Sequence, residues 1–198
     1  VLASPRGDRI VTLIPEYVET VRLKLCRPTL ADGEAIFSRY ASVPEVTRYL
    51  SWPTHRNLGD TEAFINASDQ AWSDTGVGPY LVLTREDVLL GGTGFALEAP
   101  HRAETGYVFA RDAWGHGYAT EVMGTVVCLA FQIPSLSRLD AKCHVANSPS
   151  ARVLEKSGFL REGLLQGYGV FPNSGASQPA DVWNYVRLRQ PAATHPSS

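Results

Sequence analysis

Trp114-Gly115-His116-Gly117-Tyr118-Ala119-Thr120-Glu121 places two glycines one residue apart at the start of an apolar stripe of helical spacing. The residues before it, Glu104 to Ala110, read as a strand. Strand, glycine loop and helix together form a device for holding phosphate. The glycines let the backbone approach an anion, and the loop and first helical turn offer unpaired N–H groups with the helix dipole behind them. Gly115, His116, Gly117, Tyr118, Ala119 and Thr120 are the candidate contacts, mainly through their main chain. Taken alone, Gly-x-Gly equally marks an ordinary tight turn.

A second motif follows: Asn147-Ser148-Pro149-Ser150-Ala151-Arg152-Val153-Leu154-Glu155-Lys156-Ser157-Gly158-Phe159. It reads as a short helix with both ends marked. Ser148 suits the N-cap, Pro149 the first helical position and Gly158 the left-handed residue after the last turn. Before it, Leu139, Ala141, Cys143 and Val145 alternate with Asp140, Lys142 and His144, the pattern of a strand.

The two motifs together resemble the GNAT superfamily of acetyl-CoA-dependent N-acetyltransferases, and within it the RimJ/RimL-like ribosomal-protein-alanine branch. The Trp-Gly-x-Gly-Tyr-Ala-Thr-Glu run is similar to that branch's pyrophosphate loop, and the Asn147 to Phe159 run to its second cofactor motif. Arg22-Leu23-Lys24-Leu25-Cys26-Arg27-Pro28-Thr29-Leu30-Ala31-Asp32 is similar to its opening strand and helix. The likeness extends from about Val21 to Arg189. It implies an α/β (α+β) GNAT fold: a mixed, mostly antiparallel sheet of six or seven strands, flanked by helices and splayed between strands 4 and 5. It also implies acetyl-CoA as co-substrate and no metal.

The resemblance assigns roles residue by residue. Val108, Phe109 and Ala110 match the stretch where the pantetheine arm lies beside the fourth strand and where a backbone N–H faces the thioester oxygen. Asn147 matches the residue that hydrogen-bonds the pantetheine region. Glu104, on the same strand face as Gly106 and Val108, matches a carboxylate that takes the amine's proton directly or through water. His144 and His55 are reserve bases. Many superfamily members carry a tyrosine acid seven residues after the motif asparagine, but here that position is Leu154. Ser150 matches the serine that replaces it in this branch. Three residues before the first loop glycine, where Arg or Gln is common, this chain has Asp112, which gives a phosphate no help by charge. Arg111 is the neighbouring candidate.

The elements that must position these residues are legible in outline. A strand runs from Val21 to Cys26, and Thr29 caps the helix after it with Asp32 in the capping-box position. A short helix spans Pro44 to Leu50 and a longer one Asp60 to Ser73. A β-meander uses Tyr80–Thr84, Val88–Leu97 and the strand at Glu104. Ala119, Val122, Met123, Val126, Val127 and Ala130 supply the buried face of the helix behind the glycine loop. Strands at Phe159–Gln166 and Asp181–Arg189 flank the Gly/Ser/Pro/Asn-rich stretch Gly167–Ala180. That stretch and Tyr49–Arg56 are expected to carry acceptor choice, with Trp52, Tyr80, Tyr168, Phe171 and Trp183 as candidate walls. The division is an N-terminal arm at 1–20, one domain at 21–189 and a tail at 190–198.

Composition bounds the function. The chain has 198 residues, 44% of them hydrophobic, enough for one domain with a substantial core. The net charge of −2 argues against nucleic acid as a partner. No apolar run approaches the roughly 18 residues of a membrane span. The three cysteines, Cys26, Cys128 and Cys143, have no metal-ligand spacing, and the expected location is the cytoplasm. None has the Cys-His support of an acyl-enzyme. The acceptor expected from the likeness is a small-molecule amine or a protein N-terminus. An antibiotic or polyamine acetyltransferase and a non-catalytic acyl-CoA-binding protein remain as alternatives, and a homodimer is left open.

Overall fold

In a computed structural model, residues 14–176 and 178–190 are described. Residues 1–13 of the expected arm and 191–198 of the expected tail lie outside them. The described chain builds one eight-stranded sheet in the order β1-β2-β3-β4-β5-β6-β8-β7. The strands are β1 (Tyr17–Glu19), β2 (Leu23–Cys26), β3 (Pro79–Thr84), β4 (Leu89–Ala99), β5 (Arg102–Phe109), β6 (Arg138–His144), β7 (Leu160–Gly169) and β8 (Ala180–Leu188). The helices are α1 (Gly33–Ile36), which continues through a π-helical turn at Phe37–Ala41, α2 (Pro44–Thr47), α3 (Leu58–Thr75), α4 (Tyr118–Ala130) and α5 (Ser148–Lys156).

The sheet has one strand more than the six or seven expected. The addition is β1, inside the stretch read as an arm, which pairs antiparallel with β2 from Tyr17↔Cys26 to Glu19↔Lys24. Three residues are too few to show a period, so the strand leaves no sequence signal.

Every neighbouring pair is antiparallel except β5 and β6, which α4 connects as a crossover. Their pairing runs from Arg102↔Arg138 to Thr105↔Ala141 and then stops. Beyond it, Gly106–Phe109 and Lys142–His144 diverge. With β1 left out, these are the fourth and fifth strands of the sequence reading, so the expected splay lies here.

Two apolar layers hold the sheet. On one face α4 buries Val122, Met123, Val126, Leu129 and Ala130 against Leu90, Ala103, Phe109 and Leu139. Complete burial of one such side chain is worth about 1.5–3 kcal/mol, so this layer fixes where α4 starts. On the other face Ile36, Tyr40, Ala41 and Ile65 pack on Leu81, Leu89 and Ala110. Successive β5 residues alternate between the layers. Ala103, Tyr107 and Phe109 face α4 and α5, whereas Val108 and Ala110 face α1 and α3.

Candidate active site

The glycine loop sits at the open end of the split. Gly115 and Gly117 have φ of +82° and +77°, a left-handed conformation that favours glycine. Gly117 caps α4, whose first intrahelical bond runs from Glu121 N–H to Gly117 O at 3.1 Å. The N–H groups of Tyr118, Ala119 and Thr120 therefore have no partner within the helix. Arg22, given no role by the sequence reading, braces this turn. Its guanidinium donates to Glu121 Oε2 at 2.7 Å and His116 O at 3.0 Å, and lies 4.7 Å from the Tyr118 ring centre. These glycines, free amides and one cation fit a pyrophosphate.

Asp112 is turned away from this duty. Arg39 grips it with two bonds of 3.0 Å and donates to Leu89 O with its remaining Nε–H. Arg111 is likewise engaged, donating to Glu45 at 2.9 Å and stacking on Trp114. Asp112→Asn is therefore expected to leave acetyl-CoA affinity unchanged by calorimetry and to cost about 1 kcal/mol or less, the range of exposed pairs, in thermal melting.

The backbone of the split corrects one expectation. Ala110 N–H donates to Leu90 O at 2.8 Å, so Leu90 and Ala110 form a hydrogen-bonded pair. Backbone groups alternate sides along the strand, so those of Val108 and Ala110 point to β4. Tyr107 and Phe109 direct theirs toward the opening, and Phe109 O already accepts from the Trp114 indole at 2.8 Å. The main-chain groups that face the opening are therefore those of Tyr107 and Phe109, while those of Val108 and Ala110 are spent on β4.

On the β6 side of the split, α5 begins. Asn147, not Ser148, is its N-cap: Asn147 Oδ1 accepts from Ser150 N–H at 3.2 Å. That leaves the asparagine NH₂ to serve a ligand. Gly158 closes the helix with φ +79° as expected. The Tyr107 hydroxyl donates to Ser150 Oγ at 3.0 Å. Burial pushes the Tyr107 phenol up to about 12, so it remains a donor. Cys143 lies below the same turn with its thiol pushed up by burial, the reverse of an activated nucleophile.

Glu104 lies inside the paired stretch, one residue before the last β5–β6 pair, on the α3 face; it is half-buried and contacts the Lys142 ammonium. Burial pushes its carboxyl up, and the ammonium pulls against that shift. The sequence reading placed Lys142 on a strand but gave it no role at the site. It stands beside Glu104 only because β5 and β6 run parallel in the register Glu104↔Asp140, which no turn residue announces.

The reserve histidines separate. His144 Nδ1 accepts from Ala146 N–H at 3.0 Å, which places the neutral ring's proton on Nε2 and makes that nitrogen a donor. Tyr49 and Phe171 flank its ring, each with centroids 4.8 Å away. His55 Nδ1 meets Thr61 Oγ1 at 2.8 Å, and burial moves the ring's titration downward.

His55 also lines an apolar cleft of about 300 Å³ between α1, α3 and the sheet, which reaches Gly106, Tyr107 and Val108 at the mouth of the split. A wider groove of about 640 Å³ shares Phe64, Pro79, Thr93 and Gly106 with it and carries Glu98 and Glu104. Asn173, also missed in the sequence, ties the β7–β8 connection to this rim. It accepts from Thr54 N–H at 2.7 Å and donates to the carbonyls of Thr47 and Trp52 at 2.8 Å each.

Of the expected aromatic walls, Trp52 lines the cleft and Tyr80 only floors it, its hydroxyl bonded to Pro15 O at 2.6 Å. Tyr168 lies over Lys142. Trp183 packs against the core under Arg161 and forms no wall.

A sheet opened beside a phosphate-holding helix start, with an acceptor cleft across the split, defines an acyl-transfer fold. The chain matches the Acetyltransferase (GNAT) domain over residues 22–160, and it belongs to that family. It is 34% identical over 177 residues to the uncharacterized N-acetyltransferase YoaA of Bacillus subtilis, covering 87% of this chain and 98% of YoaA. Its structure is similar to that of a GNAT-family acetyltransferase from Bacillus anthracis, with TM-score 0.75 and 28% identity over 87% of this chain and 98% of that one. The fold is shared with RimL, a ribosomal L7/L12 α-N-protein acetyltransferase solved with coenzyme A, at TM-score 0.75 and 18% identity over 88% of this chain and 97% of RimL.

Proposed function

We propose that this GNAT protein moves an acetyl group from acetyl-CoA to a primary amine by direct attack within a ternary complex. The observation that carries the reading is the split itself. The free amides of the α4 turn, the inward backbone of Tyr107 and Phe109, Ser150, and the acceptor cleft all converge on it. The RimJ/RimL-like branch is supported by the shared fold and by Ser150 standing where Leu154 leaves no phenol. That branch implies an N-terminal α-amine as acceptor, whereas the apolar cleft of this chain argues for a small-molecule amine.

The chemistry is divided among the chain's own groups. Backbone N–H groups at 115–120 hold the pyrophosphate, with Arg22 fixing their turn and the Asn147 NH₂ facing the pantetheine. Tyr107 N–H stabilises the thioester oxygen as it gains charge. The amine nitrogen bonds to the carbonyl carbon, its proton passes through water to Glu104, and the carbon–sulfur bond breaks. Ser150 gives its proton to the departing thiolate, the proton taken up by Glu104 returns to Ser150 through water, and the Tyr107 hydroxyl holds Ser150 Oγ in place.

Ser150→Ala is expected to lower kcat by roughly tenfold to a thousandfold, with acetyl-CoA affinity nearly unchanged. Tyr107→Phe should give a smaller loss in the same direction. An unaltered single-turnover rate for Ser150→Ala would reduce that residue to a helix-terminus role. Acetyl-CoA binding with no amine turnover across a broad panel would favour a non-catalytic binding protein.

A further inference from the structure

We propose that the acceptor is a primary amine carried on an aromatic or branched apolar body, seated in the 300 Å³ cleft between α1, α3 and the sheet. The inference rests on the transferase reading and names its substrate class.

The cleft wall is the first observation. Ile36, Trp52, Phe64 and Val108 contribute apolar surface, and among the described residues no Asp, Glu, Lys or Arg side chain lines it. Its volume is at the small end for ligand sites. An ammonium held there without a counter-charge is strongly disfavoured, so the cleft excludes a chain of several cations. The same penalty acts on the reacting amine and favours its neutral, nucleophilic form.

The second observation is Tyr40. Its ring is buried, the residue being 3% exposed, and it lines the cleft. A Cβ built on Gly92, in the cleft floor, would lie 3.4 Å from that hydroxyl. Burial pushes the phenol far up, so it offers a neutral donor inside the cleft. A neutral hydroxyl on the cleft wall suits one neutral polar group on a bound molecule and offers nothing to a cation chain.

The adjoining groove does not reverse this selection. Its Glu98 pairs with Arg102 at 3.0 Å, and its Glu104 pairs with Lys142. Both carboxylates are compensated, so neither is a free receptor for a polyamine. β4 offers an extended peptide no edge, because it is paired on one side with β3 and on the other with β5, and the open edge of β5 at Gly106–Phe109 is the one assigned to the pantetheine.

Phenethylamine, spermidine and a peptide beginning with alanine test the assignment, with acetylated product measured by mass spectrometry. The expected kcat/KM for phenethylamine exceeds the other two by roughly a hundredfold, the scale of burying one aromatic side chain. Phe64→Glu, which puts a carboxylate in the cleft, should erase that preference while acetyl-CoA affinity stays unchanged. Calorimetry of phenethylamine on the CoA-saturated wild-type protein reads acceptor binding apart from turnover.

Equal or faster acetylation of spermidine or the peptide overturns the acceptor class and leaves the transferase reading standing. Absence of phenethylamine binding also overturns the class. Binding of phenethylamine with no acetylated product supports the cleft's occupant and contradicts the transferase reading.

Discussion

Replacing Gly117 with glutamate is expected to abolish acetyl-CoA binding in a protein that still folds. Gly117 has φ +77°, and a Cβ there would meet only the end of Arg22, at 3.7 Å. The substitution therefore costs the backbone about 1–2 kcal/mol, well within a domain stability of about 5–15 kcal/mol. What it destroys is the anion site. A carboxylate enters the turn whose amides would hold pyrophosphate, and its charge opposes the phosphates at short range. Gly117→Ala carries the same strain without the charge and should weaken binding far less. Calorimetry gives both affinities and circular dichroism confirms folding. Unchanged affinity in folded Gly117→Glu protein contradicts the phosphate-loop assignment.

The second large effect is expected at Glu104. Glu104→Gln keeps the shape and removes the proton acceptor, so turnover at neutral pH should fall roughly a hundredfold or more. The sign of the pH dependence follows from the site. A carboxyl accepts a proton only when ionised, so the wild-type rate rises as pH climbs through its titration, which burial moves upward against the pull of Lys142. In Glu104→Gln that limb disappears. The rate should then climb only as free amine accumulates at high pH, with acetyl-CoA affinity nearly unchanged. A Glu104→Gln enzyme with the wild-type profile, chemistry limiting, would move proton acceptance to His55. Burial moves that ring's titration downward, and it already lines the cleft.

The parts of this site that were legible in the sequence are those written locally. Gly115 and Gly117 mark left-handed turns, Thr29 and Asp32 form the capping box they spell, and Gly158 ends α5. The α4 stripe declares its buried face because helical spacing is a local property. The misses come from pairing across distance. Lys142 meets Glu104 only through a parallel register, and a crossover through α4 leaves no turn chemistry to fix it. Tyr107 reads as a core aromatic until α5 brings Ser150 to its hydroxyl. Val108 and Ala110 were expected to face the opening with their backbone, where Tyr107 and Phe109 do instead, because only the β4 pairing decides which way an amide points. The N-cap shift from Ser148 to Asn147 has a simpler origin: both residues cap well, and their order alone does not choose between them.

Direct transfer within a ternary complex is the central claim, and one single-turnover reaction tests it. Protein, acetyl-CoA and phenethylamine are mixed, quenched with acid on a time course, and resolved by mass spectrometry into small-molecule product and intact protein. The account predicts acetylated amine appearing in step with free CoA, while the protein mass stays constant throughout. Acetyl groups accumulating on the protein before product forms, or CoA released with no acetylated amine, would contradict it.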